Sequence, residues 1–415
     1  PEVQSKLDEI RKEYAMITPE QIKVIDPCCG SGHILVYMFD VLMQIYETSG
    51  YTKREAVLSI IENNLYGLDI DERAAQLAYF AVMMKGCQYD RRFLTRGVQP
   101  RVYAIEESNN INRAQLDCLG ADLSDIEKNA AKMQLNGLLD ALKDAKEYGS
   151  ILTVDNYEWE LLRRYTASPD ADGQISMEYI GIEQTTEQLQ NLIDIGEAMA
   201  QKYDAVVTNP PYMGASGMGA GLSKYVKEKY PDSKSDLFAV FMERCEKFIA
   251  NNRYQAMITQ HAWMFLSSFE KFRTKLLSSN DISTMVHLGA RAFEEIGGEV
   301  VQTTSFILKK GTVKNYKGKY CRLIAPVTQY GKEKMFLEKE NRYSSEQANF
   351  SKIPGSPVAY WVSEKMLNAF ENGTLLGNIA DSKQGLATTD NKRFLRIWSE
   401  IDYNKIIYNV DSINN

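Results

Sequence analysis

Histidine and paired cysteine are scarce in this 415-residue chain, and their scarcity removes whole classes of chemistry. Only His33, His261 and His287 occur, and the six cysteines (Cys28, Cys29, Cys87, Cys118, Cys245, Cys321) form no CxxC pair. That set argues against a zinc site, and no metal is expected. The cysteines also lack the even ladder that staples small secreted domains, so a reducing cytoplasm is the expected compartment. No apolar run approaches the roughly 20 residues of a membrane helix, and the opening residues do not read as a secretory signal. No membrane partner is expected. Positive charge is not in excess either: the net charge of −7 argues mildly against a nucleic-acid partner, because neutralising a phosphate backbone needs clustered cations.

What is present describes an ordinary globular protein. Hydrophobic residues at 44% and charged residues at 25% leave ample material for a large core, and the length suggests two or three domains. Local charge matters more than the sum. Lys309, Lys310, Lys314, Lys317 and Lys319 fall close together, as do Lys224, Lys227, Lys229 and Lys234, and then Lys383, Lys392, Arg393 and Arg396. Each cluster reads first as a solvated face and only second as a phosphate contact.

Along the chain, residues 3–16 have amphipathic helical spacing. The β-branched run IKVID (22–26) enters the turn DPCCGSG, and HILVYMFDVLMQIYETSG follows with helical spacing up to Gly50. A second helix spans Lys53 to Asn63, before the strand LYGLDI and the helical DERAAQLAYFAVMMKG. VYAIEE (102–107) is the next strand. A polar, helical stretch from about 109 to 202 carries no motif and reads as an insertion. The core resumes with YDAVVTNPPY, LFAVFMERCEKFIA, YQAMITQ, SSFEKFRTKLLSS, ISTMVHLG and VVQTTSFILKK. Alternating strands and helices predict an open, largely parallel α/β sheet. The last two strands are joined by AFEEIGGE, too short for a crossover helix, and are expected to be antiparallel. Past about Tyr320 the pattern weakens, which suggests a boundary between domains at 1–320 and 321–415.

Three constellations carry chemistry. Asp26-Pro27-Cys28-Cys29-Gly30-Ser31-Gly32 lies at a strand's carboxyl end before a helix, where glycines admit a ligand close to the backbone and free N–H groups face it. Alone, such a loop is equally a plain turn. Asp69, ending the next strand, can accept hydrogen bonds from both hydroxyls of a ribose. Alone, an acid there is more simply a cap of the following helix, a role that suits Asp71. Together the two point to a nucleoside cofactor.

The third, Asn209-Pro210-Pro211-Tyr212, follows a strand from Asp204. An exocyclic amine on an aromatic ring is a poor nucleophile because its lone pair is delocalised. Two acceptors gripping both N–H protons draw the nitrogen towards tetrahedral geometry and support the positive charge that develops. The Asn209 side-chain oxygen and the Pro210 carbonyl can be that pair, with consecutive prolines fixing the backbone. Tyr212 offers a ring for a base drawn out of the duplex. An Asn-Pro turn explains the dipeptide but not the tetrapeptide in this position. No general base of unusual pKa is required.

The order of glycine loop, acidic strand end and NPPY resembles the gamma class of N6-adenine DNA methyltransferases. DPCCGSGHILVYMFDVL, NNLYGLDIDERAAQLA, YDAVVTNPPYMG and KSDLFAVFMERC are similar to the PglX methylases of BREX phage-defence systems. Type IIG restriction–modification enzymes share much of this core. Over residues 20–320 the resemblance implies a Rossmann-like fold, a mostly parallel seven-stranded sheet with an antiparallel last strand, that binds S-adenosyl-L-methionine. It implies that Asp26, Gly30 and Gly32 surround the methionine part and Asp69 the ribose, with Pro27, Cys28 and Ile70 in the same site. Glu106 would meet the cofactor's adenine, with Glu107 competing for that role. Phe293, in LGARAF, would stack the flipped base opposite NPPY, or else serve as a core phenylalanine.

QGLATTDNKRFLR (384–396) resembles the opening of the target-recognition domain that follows such cores, an α+β domain expected to be cut short here. The reading that results is site-specific adenine-N6 methylation of double-stranded DNA, with other phage-defence proteins as possible partners. Three alternatives stay open. One is the methylase half of a type IIG enzyme whose nuclease lies outside this chain, since no PD…ExK pattern occurs within it. Another is a protein-glutamine methyltransferase, whose amide nitrogen poses the same problem as the adenine amine. The third is a defence component inactive without partners.

Overall fold

The computed structural model describes residues 2–167, 182–293, 301–339, 341–374, 376–380, 390, 393 and 395–405. Helix α1 (Glu2–Ala15) precedes a sheet whose first strand, β1 (Val24–Asp26), is short and wholly buried. The glycine loop leads into α2 (His33–Thr48), then α3 (Lys53–Ser59), β2 (Leu65–Asp69), α4 (Glu72–Tyr89) and β3 (Arg101–Ala104). The motif-free stretch folds as α5 (Asp125–Ala141), α6 (Ala145–Tyr148), α7 (Trp159–Ala167) and α8 (Ile182–Ala200). Then come β4 (Tyr203–Thr208), α9 (Ala220–Lys229), α10 (Leu237–Phe248), β5 (Ile249–Gln260), α11 (Glu270–Ser279), β6 (Asn280–Ala290) and β7 (Gln302–Lys310).

The strands line up as β3-β2-β1-β4-β5-β7-β6, followed by β8 (Lys317–Arg322) and β9 (Arg342–Glu346). β1, β2, β3, β4 and β5 are parallel, and β7 runs antiparallel between β5 and β6. The chain builds outward from β1 through β2 and β3, then returns to add β4 on β1's other side. That reversal opens a crevice at the carboxyl ends of β1 and β4, where ligands of open α/β sheets bind. Neighbouring strand residues face opposite ways. Val24, Leu65 and Val102 join one buried cluster with α2, α3 and α4, while Ile25, Tyr66 and Val206 join the other with the inserted helices and α10.

The α/β architecture and the antiparallel β6–β7 pair match the sequence expectation, and helices α5 to α8 lie between β3 and β4. The strand count does not, because the sheet has nine strands rather than seven. β8 pairs with β6 in parallel and β9 with β8 in antiparallel fashion, so the sheet runs past Tyr320, where the pattern weakens. These last two strands are short and carry exposed lysines and polar residues, and β9, which forms the edge, has no buried residue, which is how a sheet edge is kept from pairing with other chains. The same feature makes them look like loop in the sequence. The compact unit extends to Ser363, and residues 364–415 form a second unit, in which α13 (Glu364–Asn372) follows the edge helix α12 (Gln329–Leu337) of the first in chain order. Most of 384–396 lies outside the described residues. Among the described residues no helix is long and apolar enough to cross a membrane.

One buried cation ties the insertion to the core. Arg244, on α10, is 2% exposed; its Nε donates to the Ser150 carbonyl (3.2 Å) and its Nη2 to the Met199 carbonyl (3.0 Å). Its guanidinium also lies 3.7 Å from the Phe248 ring centre. Arg244→Leu would strand two buried carbonyls, so a loss of about 2–4 kcal/mol in unfolding free energy is expected. Hydrogen exchange should show residues 147–152 loosening first; uniform loosening would contradict the tie.

Candidate active site

Asp26 ends β1 and is 1% exposed. Its Oδ1 accepts the Cys28 N–H (3.1 Å) and the hydroxyl of Thr208, the last residue of β4 (2.6 Å). The glycine loop is thereby fastened to the residue that precedes Asn209. Asp26 Oδ2 is buried and has no hydrogen-bond partner among the described residues. Burial pushes the carboxyl up to about 7, with Asp69 adding to the rise and the Thr208 and Cys28 donors opposing it.

The loop is laced to the next strand in turn. Asp69 Oδ2 accepts the Gly30 N–H (2.8 Å), its Oδ1 accepts the Asp71 N–H (2.9 Å), and the Cys29 N–H reaches the Leu68 carbonyl (2.9 Å). Capping of α4 falls to Asp71, whose side chain accepts from Arg73 N (2.8 Å). Gly32 begins α2 with φ +86°, and a Cβ there would stand 2.8 Å from the Ala78 Cα. Only glycine lets α4 pack this close to the loop. Cys28 packs against the core, and burial, reinforced by Asp26, pushes its thiol well above the usual range.

Asn209 is exposed, Pro210 buried, Pro211 exposed and Tyr212 half-buried. The Tyr212 hydroxyl donates to Asn209 Oδ1 (3.2 Å) and towards the Ile258 carbonyl of β5 (3.3 Å). Its ring meets Phe238 edge-on at 6.2 Å. Sequence reasoning passed over what pins the far side of this tetrapeptide. Asp236 caps α10 through Phe238 N (3.3 Å) and also accepts the Met213 N–H (3.0 Å), while Leu237 N donates to the Met213 carbonyl (2.9 Å). An Asp directly before the apolar run LFAVF is the cap signal that could have found it.

Two cavities open at the crevice. One, of ≈ 420 Å³, is lined by Pro27, Cys28 and Asp69 on one side and by Asn209, Pro211 and Met213 on another. Its remaining wall includes Glu147 to Ser150 of the insertion. The other, of ≈ 760 Å³, holds Glu106, Glu107, Asn110, Lys146 and Gln188 among Ile105, Ile111 and Leu192. Ile70 borders both. Among the described residues the smaller cavity has the carboxylates of Asp69 and Glu147 and no Lys, Arg or His in its wall, which suits a ligand with positive charge. The larger combines apolar and polar lining residues, which suits a heterocycle. Glu106 is half-buried, and burial raises its carboxyl pKa against the pull of Lys146.

Of the sequence-predicted residues, Pro27, Cys28, Asp69, Ile70, Asn209 and Pro211 share the smaller cavity, and both Glu106 and Glu107 reach the larger. Pro210 and Tyr212 flank these residues in the chain without lining the cavity, and Asp26, Gly30 and Gly32 line neither cavity. Phe293, half-buried just after β6, lines neither cavity. Two of the five lysines in the first cluster are structural, and Lys314, Lys317 and Lys319 are exposed. Lys309 pairs with buried Asp281 (3.4 Å), and Lys310 donates to the Glu246 and Ile249 carbonyls (2.9 and 3.0 Å). Lys224, Lys227, Lys229 and Lys234 stay exposed on and beside α9, whose Leu222 borders the smaller cavity.

Residues 63–293 match the model of the Eco57I restriction-modification methylase family, more than half of the chain. The chain belongs to that family. An N-6 DNA methylase model matches residues 9–97 as well. Among curated relatives of this methylase, "Adenine-specific methyltransferase PglX" of Lacticaseibacillus casei (strain Zhang) is 42% identical over 98% of the chain and 34% of its own length. "Adenine-specific methyltransferase BrxX" of Escherichia coli O9:H4 (strain HS) is 38% identical over 97% and 34%. The chain thus spans about a third of the length of these relatives. A solved structure of the type ISP restriction-modification enzyme LlaBIII bound to DNA aligns with a TM-score of 0.48 at 11% identity, covering 84% of this chain and 21% of that one.

The buried acid makes this methylase fold pH-sensitive. Because the folded-state pKa of Asp26 lies above the unfolded value, the folded protein keeps a proton that the unfolded chain has lost between about pH 4 and about pH 7. Stability from this group is greatest below that window and declines as pH rises through it. Asp26→Asn retains an acceptor oxygen and has no proton to lose. Without ligand, its unfolding free energy should fall less steeply from about pH 5 to about pH 7.5 than the wild type's, by up to about 1.4 kcal/mol per pH unit. Urea titrations giving parallel curves would contradict this.

Proposed function

We propose that this chain is the catalytic core of a site-specific DNA adenine-N6 methyltransferase that uses S-adenosyl-L-methionine. Its setting would be a bacterial phage-defence system of the BREX type or a restriction–modification system, in the cytoplasm. The observation that carries the reading is the smaller cavity, in which the loop after β1 and Asn209–Pro211 after β4 wall one space. A donor seated against the first and an amine held by the second would meet there.

The donor set fits the cofactor. Asp69, in the wall of the smaller cavity, would meet the ribose, and Asp26, buried beneath the loop with one oxygen unpartnered, would bear on the methionine part; Glu106 or Glu107, in the larger cavity, would meet the adenine. Pro27, Cys28, Gly30, Gly32 and Ile70 give it backbone and apolar contact. Bound there, S-adenosylmethionine supplies an electrophilic methyl on a sulfonium centre.

The chain's own residues do the rest. Asn209 Oδ1 and the Pro210 carbonyl accept the two N–H protons of the adenine amine, turning its lone pair towards the methyl group. The Tyr212 hydroxyl steadies Asn209 Oδ1 before the base arrives, so little reorganisation is left to the reaction. The Tyr212 ring, braced by Phe238, stacks the flipped base, and Phe293 is a second candidate for that contact. Proline at 210 and 211 keeps the acceptors fixed. The exposed lysines of α9 and Lys234 offer phosphate contacts on double-stranded DNA.

In cells carrying the full-length protein, sequencing should find N6-methyladenine at one defined motif. Asn209→Ala should lower the methylation rate by roughly 10²–10³-fold, the usual cost of one preorganised polar contact to the reacting group. A mark that survives the substitution would refute the assignment. Tritium passed from the donor to protein rather than DNA would favour glutamine methylation instead.

A further inference from the structure

The insertion between β3 and β4 contributes to the cofactor crevice although it carries no methyltransferase motif. Residues 147–150 form a wall of the smaller cavity, and Lys146 with Gln188 and Leu192 a wall of the larger. The segment is held from several sides. The Ser150 hydroxyl donates to the Pro27 carbonyl (2.6 Å), the Tyr230 hydroxyl to the Ile151 carbonyl (2.6 Å), and Tyr148 stacks on Tyr225 of α9 at 4.6 Å. Glu147 is fixed by the Leu222 N–H, 3.0 Å from Oε1. The carboxylate can lie there because residue 221 is glycine: a Cβ at that position would be 2.2 Å from Oε1.

The formal charges lining the smaller cavity have one sign: among the described residues no lysine, arginine or histidine lines it, and the neighbouring Lys146 lines the larger cavity instead. Glu147 itself makes no ion pair with a described residue. The other lining carboxylate, Asp69, already accepts two backbone N–H groups, whereas Glu147 accepts one. Glu147 therefore projects the less compensated negative charge onto whatever occupies the space. The two states of a methyl donor differ in one respect that such a charge can sense, since a sulfonium is cationic and the thioether left after transfer is neutral.

We propose that Glu147 is a selectivity residue that favours the charged donor over the spent product, an inference that rests on the methyltransferase reading above. Its carboxylate attracts the cationic ligand and loses that attraction once the charge has gone, so the product competes less well for the site. The chemistry is unaffected; the effect lies in the ratio of two affinities.

The test is equilibrium binding to the full-length protein by calorimetry, with S-adenosylmethionine, S-adenosylhomocysteine and sinefungin, which carries an amine in place of the sulfonium. Glu147→Gln keeps an oxygen for Leu222 N and removes only charge. It should weaken S-adenosylmethionine and sinefungin by roughly three- to tenfold and leave S-adenosylhomocysteine within about twofold. Glu147→Asp should retain most of the discrimination, and added salt should narrow the wild-type ratio. Equal weakening of all three ligands, or no change in any, would overturn the proposal and leave the methyltransferase reading intact. A wild-type protein that binds none of the three would overturn both.

Discussion

The hydrogen bond from Thr208 to Asp26 is the constraint on which the rest of the site depends. The strand ends it joins are 182 residues apart in sequence and adjacent at the point where the sheet reverses. β1 contributes only three residues to the sheet, too few for its end to be held by the ladder alone. A buried carboxylate that takes donors from its own loop and from β4 fixes both ends at once. The cost is an acid held in a poorly solvated place with one oxygen bare. Such a group is tolerated where surrounding packing is strong, and here Ile25 and Val206 lie beside it in a fully buried cluster.

Around that junction the molecule repeats one device, a backbone N–H captured by a carboxylate. Asp69 holds Gly30, Asp236 holds Met213 and Glu147 holds Leu222. Each bond joins an element of the crevice to a neighbour distant in sequence, and each lies within a few residues of a cavity wall. The walls are therefore rigid without being apolar. The inserted helices become part of this framework through Arg244 and Ser150, so a segment with no motif of its own supplies surface to both cavities.

The fold was legible where periodicity is strong and the sheet is buried. The strands around β1, the helices between them and the antiparallel β6–β7 pair all leave clear patterns in the residues. β8 and β9 do not, because β8 alternates exposed and buried residues over only six positions and β9 has no buried residue at all. Of the chemistry, the glycine loop, Asp69 and Asn209–Tyr212 could be read directly, since each joins an unusual residue set to a strand end. Capping of α4 by Asp71 was readable too, whereas the burial of Lys309 and the tethering of Lys310 in what looks like a basic patch needed the structure. Glu147 was out of reach, for its role arises from contact with α9 across 75 residues of sequence. Phe293 shows the converse: a family pattern marks it, yet it lies on neither cavity wall.

The thiol of Cys28 has a consequence of another kind. On the proposed reading, the cavity that takes an alkylating cofactor has one of biology's softer nucleophiles in its own wall. Sulfur attacks as thiolate, and burial beside Asp26 keeps this cysteine protonated far above neutral pH. Burial, with the charge of Asp26 adding to it, disarms the wall. A donor bound there would meet a protonated thiol, without the need to remove sulfur from the site.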